Sequence, residues 1–467
     1  MGVESNPALL WFVGAYGVIM IIMGIYYSRK VSNSEDFILA GKGLGTFVLT
    51  GTLLATWTGS GSISGGETSM AFTYGIIPAL LMMLPTLVGI GILYLIAPKI
   101  RDFGKYTVSG ILEAKYGTTA RIIASVIIIL AFVGIVSYQM TGLGFILNIT
   151  TGMSVELGTI IGAVLIIFLA SIGGLRSVAP TDALSAFFAV AALFITLPTI
   201  YIIAGGWDGV TNNVPAEHLT ATGTLSNVQL LGFLLPSLFL LLGDQNMYQR
   251  LASSRGGKSA KKAQIGWLIG MLLISPAISF IAFASRSIFP NIDPGMALMA
   301  TTTVMPTIIG GILLASATAF IITTGNSYLL SAATNVTYDI IAKRFKKDAT
   351  DKQLLGMTKL CVILLGILSY IIISYFPTVL EVQMYAYTVY GAGLTPALLA
   401  VFFWKRVNAT GGISSMIAGV ATTLLWEIVL DKPFELNSVI IALPVAVIVL
   451  IVVTLATSDP AKEKEVG

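Results

Sequence analysis

Thr323-Thr324-Gly325-Asn326-Ser327 set hydroxyl and amide oxygens on both the front and the back of one helical turn, inside a long apolar run. Hard cations take oxygen ligands, and sodium wants five or six of them, so this stretch has the chemistry of an ion ligand set. Ser and Thr also bond back to their own helix, which is the plain structural alternative. A second stretch, Ala55-Thr56-Trp57-Thr58-Gly59-Ser60-Gly61-Ser62-Ile63-Ser64-Gly65-Gly66, puts five hydroxyls and four glycines in the middle of another apolar segment. Irregular chain at membrane depth is tolerated only where it is buried in protein or lines a cavity. Broken helices near the midplane are how many transporters build ion and substrate sites. Close packing of small residues is the competing reading.

Two further clusters carry polar chemistry. Gly173-Gly174-Leu175-Arg176-Ser177-Val178-Ala179-Pro180-Thr181-Asp182 precedes a new apolar run. Asp182 then stands at or inside the membrane edge, where a carboxylate is costly and functional by default. Its alternative role is a first-turn acid favoured by the helix dipole. Gly243-Asp244-Gln245-Asn246-Met247-Tyr248-Gln249-Arg250 ends another apolar run and leads into Arg255, Lys258, Lys261 and Lys262. The basic residues read as a topology anchor. Asp244, Gln245 and Asn246 are polar enough to face a cavity, with hydrogen bonding between helices as the plain alternative. Candidate solute contacts are Trp57, Ser60, Ser62, Tyr138, Gln139, Gln245, Asn246 and Tyr387. Trp57 offers a cation–π face to an ammonium group, and Asp244 assists.

The elements that must position these residues follow from composition. The 467 residues are 56% hydrophobic and 10% charged, with mean hydropathy +0.90. Soluble domains carry roughly 25% charged residues, so this is an all-α integral membrane protein. Apolar runs of about 20 residues predict about thirteen spans, at roughly 7–27, 44–74, 75–98, 119–147, 155–174, 177–205, 227–247, 262–289, 306–336, 353–376, 378–403, 410–430 and 436–456. A short surface helix is expected around Val108 to Tyr116. The first run is followed by Arg29 and Lys30 and reads as an anchored span, not a cleaved signal.

With the N-terminus outside and the C-terminus cytoplasmic, all but Arg286 and Lys432 of the 26 lysines and arginines fall on the cytoplasmic side, in keeping with the positive-inside rule. The net charge of +4 therefore marks orientation, and a nucleic-acid role has no support. The chain reads as one polytopic domain, 1–467, in a cell membrane. After an extra N-terminal span at 7–27 come two blocks of five spans, 44–205 and 227–403, then two C-terminal spans at 410–456. Five is odd, so tandem five-span units insert in opposite directions, as inverted repeats.

Enzymatic chemistry has no visible machinery. Cys361 and His218 are single in kind, which removes disulfide and Cys/His metal frameworks. Gly257-Lys258-Ser259 ends like a phosphate loop, but Ala252 stands where its first glycine belongs. A non-transporting sensor would want an appended signalling domain, and only ten residues follow Thr457. A channel would want a repeated pore loop or a ring of acids.

Together these residues resemble the sodium:solute symporter family, whose members have the LeuT-type fold of two inverted five-helix repeats with broken helices. The resemblance rests on Gly173-Gly174-Leu175 with Thr181-Asp182, Gln249-Arg250, the Thr323–Ser327 cluster leading to Thr337-Tyr338-Asp339, and Gly391-Ala392-Gly393 followed by Trp404-Lys405-Arg406. It spans about Tyr27 to Gly412. The thirteen-span arrangement is similar to proline transporters, the Ala55–Gly61 string to choline transporters. It implies a first sodium site of backbone carbonyls at Thr56, Gly59 and Phe320 with the Thr323 and Thr324 hydroxyls. A second, found in some members, would use Asp182, Thr323, Asn326 and Ser327. This chain departs from the family with Pro180 for an aromatic, Phe320 for a small residue, and Asn326 for Ser. The expected activity is sodium-coupled import of a small organic solute by alternating access. An amino acid or quaternary amine is favoured over a sugar, organic acid or urea-type compound.

Overall fold

The computed structural model describes residues 3–29, 34–103, 107–172 and 174–457. Lys30, Lys105, Gly173, Lys462 and Lys464, all used above in motif or topology, lie outside them. Apart from one bridge between Leu44 and Ser254, the described chain is helical.

Twelve helical segments among the described residues are long and apolar enough to cross a membrane, which makes this a multi-pass membrane protein. The expected second span, 44–74, is not among the twelve, because its interruption divides it into shorter helices. Helix α1 (Ala8–Ser28) stands at the periphery, with 11% of its apolar window buried. The interrupted span comprises α2 (Thr46–Ser60), a wide π-type turn at Gly61–Gly65, and α3 (Gly66–Thr73). Next come α4 (Met83–Phe103), the short α5 (Val108–Tyr116), α6 (Thr118–Thr151), α7 (Val155–Ile172) and α8 (Leu175–Ile203). The second block opens with α9 (Asn227–Gly243) and α10 (Gln245–Ala252), separated at Asp244. It continues through α11 (Gly257–Ile288), α12 (Thr307–Thr334) and α13 (Asp351–Ile373), and ends in α14 (Val379–Gly393) and α15 (Thr395–Phe403). Helices α16 (Ala409–Leu424) and α17 (Val439–Thr457) complete the chain.

Local chemistry sets the ends. Ser226 with Gln229 and Thr350 with Gln353 form capping boxes that satisfy orphan amides at the starts of α9 and α13. Gly152, at φ 76°, ends α6 in the left-handed conformation that glycine adopts without a Cβ clash. The centre of the molecule is α12 and the α14–α15 segment, each with 83% of its apolar window buried. They bring the polar clusters under the interruption of the second span.

Three expectations change. Helix α5 is not a surface element: Val108, Ile111, Leu112 and Tyr116 are buried, because its N-terminus is pinned to the α10 segment. Asp182 lies seven residues beyond Leu175, two turns inside α8, and is fully buried. The first-turn role therefore fails, since the dipole effect acts only in the first turn. Arg250 is no surface anchor either; it is 1% exposed.

Candidate functional site

The interruption begins at Gly59, whose φ of 2° and ψ of −160° leave helical space. Carbonyls just before such a break lose their intrahelical partners. Thr324 of α12 reaches them: its Oγ1 donates to Ala55 O at 3.1 Å and Thr56 O at 3.2 Å. Gly59 packs so closely there that a Cβ would fall 2.4 Å from Thr324 Oγ1. Thr56, Gly59 and Thr324 of the first expected set thus come together, and Phe320 lies one turn before Thr324 on the same helix face. The Thr56 and Thr323 hydroxyls are buried without hydrogen-bond partners.

Thr323 turns towards α8 and lies beside Asp182, so the adjacent threonines serve different neighbours. The Asp182 Oδ1 and Asn326 Oδ1 atoms are also buried and unpartnered. A cavity of about 30 Å³ is lined by Thr181, Thr323 and Asn326 among apolar residues of α1 and α7. Ser327 belongs elsewhere: its Oγ accepts from Arg250 Nη2 at 2.7 Å.

The candidate solute residues divide into three groups. Ser60, Tyr138, Gln139 and Tyr387 surround the interruption. Ser60 N donates to Gln139 Oε1 at 2.8 Å, and Tyr138 Oη donates to Tyr387 Oη at 3.3 Å. A Cβ at Gly61 would meet Tyr387 Oη at 2.9 Å. Trp57 is held by other partners, donating through Nε1 to Thr86 Oγ1 at 3.0 Å and meeting the Trp267 ring edge-on at 6.3 Å. Gln245 and Asn246 lie at the α9–α10 break. Gln245 Oε1 accepts from Val108 N at 3.0 Å, tying α5 to the break. Asn246 N is bonded to Asp244 Oδ1 at 2.7 Å, while its Nδ2 stays unpartnered.

Sequence reasoning missed several members. Gln383 Oε1 accepts from Gly66 N at 2.9 Å and fills the bend that Gly65 leaves open. Glu67, buried at the start of α3, accepts from Ser275 Oγ at 2.7 Å and has Ser62 beside it. Acid–glycine adjacency after a hydroxyl-rich run was its only sequence signal. Phe132 stacks on Tyr390 at 5.4 Å and meets Tyr328 edge-on at 4.7 Å. Tyr328 in turn bonds Asp244. A cavity of about 540 Å³ is lined by Ser69, Tyr74, Phe233, Asp293, Met384 and Asn437, among others.

A family model described as the sodium:solute symporter family matches residues 37–419. The osmoregulated proline transporter OpuE of Bacillus subtilis (strain 168) is 25% identical, covering 96% of this chain and 95% of its own. The high-affinity proline transporter PutP of the same organism is 24% identical over 87% of this chain and 89% of its own. Among solved structures, the substrate-bound outward-open state of a Na+-coupled sialic acid symporter superposes with a TM-score of 0.81 at 19% identity, covering 97% and 98% of the two chains. Mhp1, a nucleobase-cation-symport-1 family transporter closed around bromovinylhydantoin, gives 0.58 at 12% identity, covering 91% and 94%. The two solved structures carry the LeuT-type fold seen here, and the family match spans both broken helices and the Thr323–Ser327 cluster. This chain belongs to the sodium:solute symporter family.

Proposed function

We propose that sodium binds where Thr324 meets the break in α2, through the Thr56, Gly59 and Phe320 carbonyls and the Thr323 and Thr324 hydroxyls. The solute is taken beside it, against Ser60, Ser62, Tyr138, Gln139 and Tyr387. The observation that carries this reading is the Thr324 hydroxyl held against two carbonyls at the break. Such oxygens turn towards a cation when one arrives, and binding draws α12 and α2 together. Sodium thereby favours the conformation that accepts solute, because a ligand shifts an equilibrium by its differential affinity. The cavity of about 540 Å³ is then the outer vestibule. The Gln245–Val108 bond and the Phe132–Tyr328–Tyr390 layer close the cytoplasmic route, with the N-terminus outside the cell membrane. The blocks 44–205 and 227–403 act as the two inverted repeats, each opening with a broken helix.

The solute is a small amino acid or quaternary amine. Proline transporters among the relatives support the first. Each sodium moving inward down an inside-negative potential of about 100 mV supplies roughly 2.3 kcal/mol, enough for about 40-fold accumulation of a neutral solute. Uptake of radiolabelled L-proline and choline into proteoliposomes tests this. At least one is expected to accumulate only with an inward sodium gradient, and to be lost with a sodium ionophore. Equal uptake of both at zero sodium contradicts it.

A further inference from the structure

Five acids are buried among the described residues: Asp36, Glu67, Asp182, Asp244 and Asp339. Three are paired, Asp36 with Arg176, Asp182 with Arg250 and Asp339 with Arg121. Asp244 lies in the field of Arg250 and is bonded to the Tyr328 hydroxyl and the Asn246 amide. Glu67 differs. Its partners are the Ser275 hydroxyl at 2.7 Å, the Ser62 hydroxyl and its own amide. Among the described residues no lysine or arginine stands within ion-pair distance of it. Buried charges are normally paired, so a carboxylate inside a membrane protein without a cation of its own is a place for one that arrives.

The position of Glu67 narrows what arrives. It lies in the first turn of α3, directly past the interruption, and holds the hydroxyl of Ser62, which lies within it. It is also near enough to Tyr387 for its charge to act there. Ser62, Glu67 and Tyr387 keep 5%, 6% and 6% of their surfaces open, whereas Ser60 and Gln139 keep none. The open surface left at the interruption therefore includes the carboxylate. The oxygens proposed for sodium lie elsewhere, where α2 meets α12 before the interruption. Glu67 lies after it, where α3 meets α11.

We infer that Glu67 is the counter-charge for an ammonium group of the solute, bound against Ser62, so that recognition requires a positive nitrogen. The inference rests on the solute reading above and deepens it. A sugar, a urea-type compound or an organic acid without an amine lacks the group that the carboxylate needs. A site whose buried polar group is left unpaired rejects the wrong ligand far more strongly than apolar fit does. A protonated amine supplies the charge and a hydrogen bond, and a quaternary ammonium supplies the charge alone. Both therefore satisfy Glu67.

The test is ligand-dependent melting of the purified full-length protein in sodium chloride, with two matched pairs of probes. Choline is set against its carbon isostere, in which the quaternary nitrogen is a carbon atom. L-Proline is set against cyclopentanecarboxylate, which lacks the nitrogen. Wild type is expected to be stabilised by choline or L-proline and not by the matched isostere. Glu67→Gln keeps the shape and removes the charge. It is expected to weaken the ammonium ligand about ten- to a hundredfold, the worth of a hydrogen bond to a charged group, and to erase the preference over the isostere. A merely structural role would weaken both members of a pair alike. Wild type stabilised equally by both members of a pair, or a folded Glu67→Gln protein that keeps the preference, overturns the inference. Stabilisation by neither choline nor L-proline overturns it as well. The sodium reading is judged separately, by whether sodium alone raises the melting temperature over potassium. Where Glu67→Gln does not fold, Glu67→Asp withdraws the carboxylate by one methylene. It is expected to narrow the preference, and an unaltered preference overturns the inference.

Discussion

Thr324 and Thr56, separated by 268 positions in sequence, meet at 3.2 Å between a side-chain hydroxyl and a freed main-chain carbonyl. The contact joins the break in α2 to α12, one of the two most buried segments of the second block. It is a neutral contact, so a cation entering between these oxygens gains ligands without displacing a counter-charge. The consequences of that arrangement are testable residue by residue.

Gly59 has no room for a side chain. A Cβ there would lie 2.4 Å from Thr324 Oγ1 and 2.7 Å from its Cγ2, inside any tolerable contact. Gly59→Ala is therefore expected to push α12 from the break and abolish sodium-dependent uptake. Immunodetection in membranes should show insertion retained, since the change touches the site and not the apolar exterior.

Trp57 is placed as a packing residue. Its ring lies against Trp267 and its Nε1 is satisfied by Thr86. Trp57→Ala is expected to cost about 3–5 kcal/mol of stability, seen as a lower melting temperature. The half-saturating solute concentration of the folded protein should stay within about twofold of wild type. A strong affinity loss at unchanged melting temperature would restore Trp57 to the solute site.

Gln245 should act on access and not on affinity. Removing its bond to Val108 N frees α5 from the break between α9 and α10. With Cys361 replaced by Ser, a cysteine at position 246 reports the cytoplasmic route. Gln245→Ala is expected to raise its labelling by a membrane-impermeant thiol reagent several-fold, and a labelling rate equal to the parent rejects the role.

Much of this was legible in sequence, for physical reasons. Apolar runs fix spans because backbone polar groups must be satisfied inside the bilayer. Hydroxyls and glycines crowded into Ala55–Gly66 announce a break because no packing requirement needs all of them. The Thr323–Ser327 cluster stands out for the same reason, and Thr324 of it meets the carbonyls at the break. What escaped was direction. Consecutive threonines on a helix point about 100° apart, so sequence alone does not show that Thr324 reaches the Ala55 and Thr56 carbonyls while its neighbour Thr323 also lies beside Asp182. Arg250 was grouped with the basic residues that follow it because sequence cannot show that α10 turns inward after Asp244. Trp57 sits among candidate site residues in sequence, yet its side chain is held by Thr86 and Trp267. Gln383 meets the interruption only through tertiary approach, and Glu67 carries no local signal beyond an acid next to glycines after a hydroxyl-rich run.

The most direct measurement is the thermal stability of purified protein in sodium chloride against potassium chloride at equal ionic strength, for wild type and for Thr324→Ala. A ligand that binds only the folded state stabilises it by about 2.7 kcal/mol at a hundred times its dissociation constant. Wild type is expected to melt a few degrees higher in sodium than in potassium. Thr324→Ala is expected to lose that difference, with its melting temperature in potassium close to wild type. Equal melting of wild type in both salts, or a sodium shift that survives in Thr324→Ala, contradicts sodium binding at the break in α2.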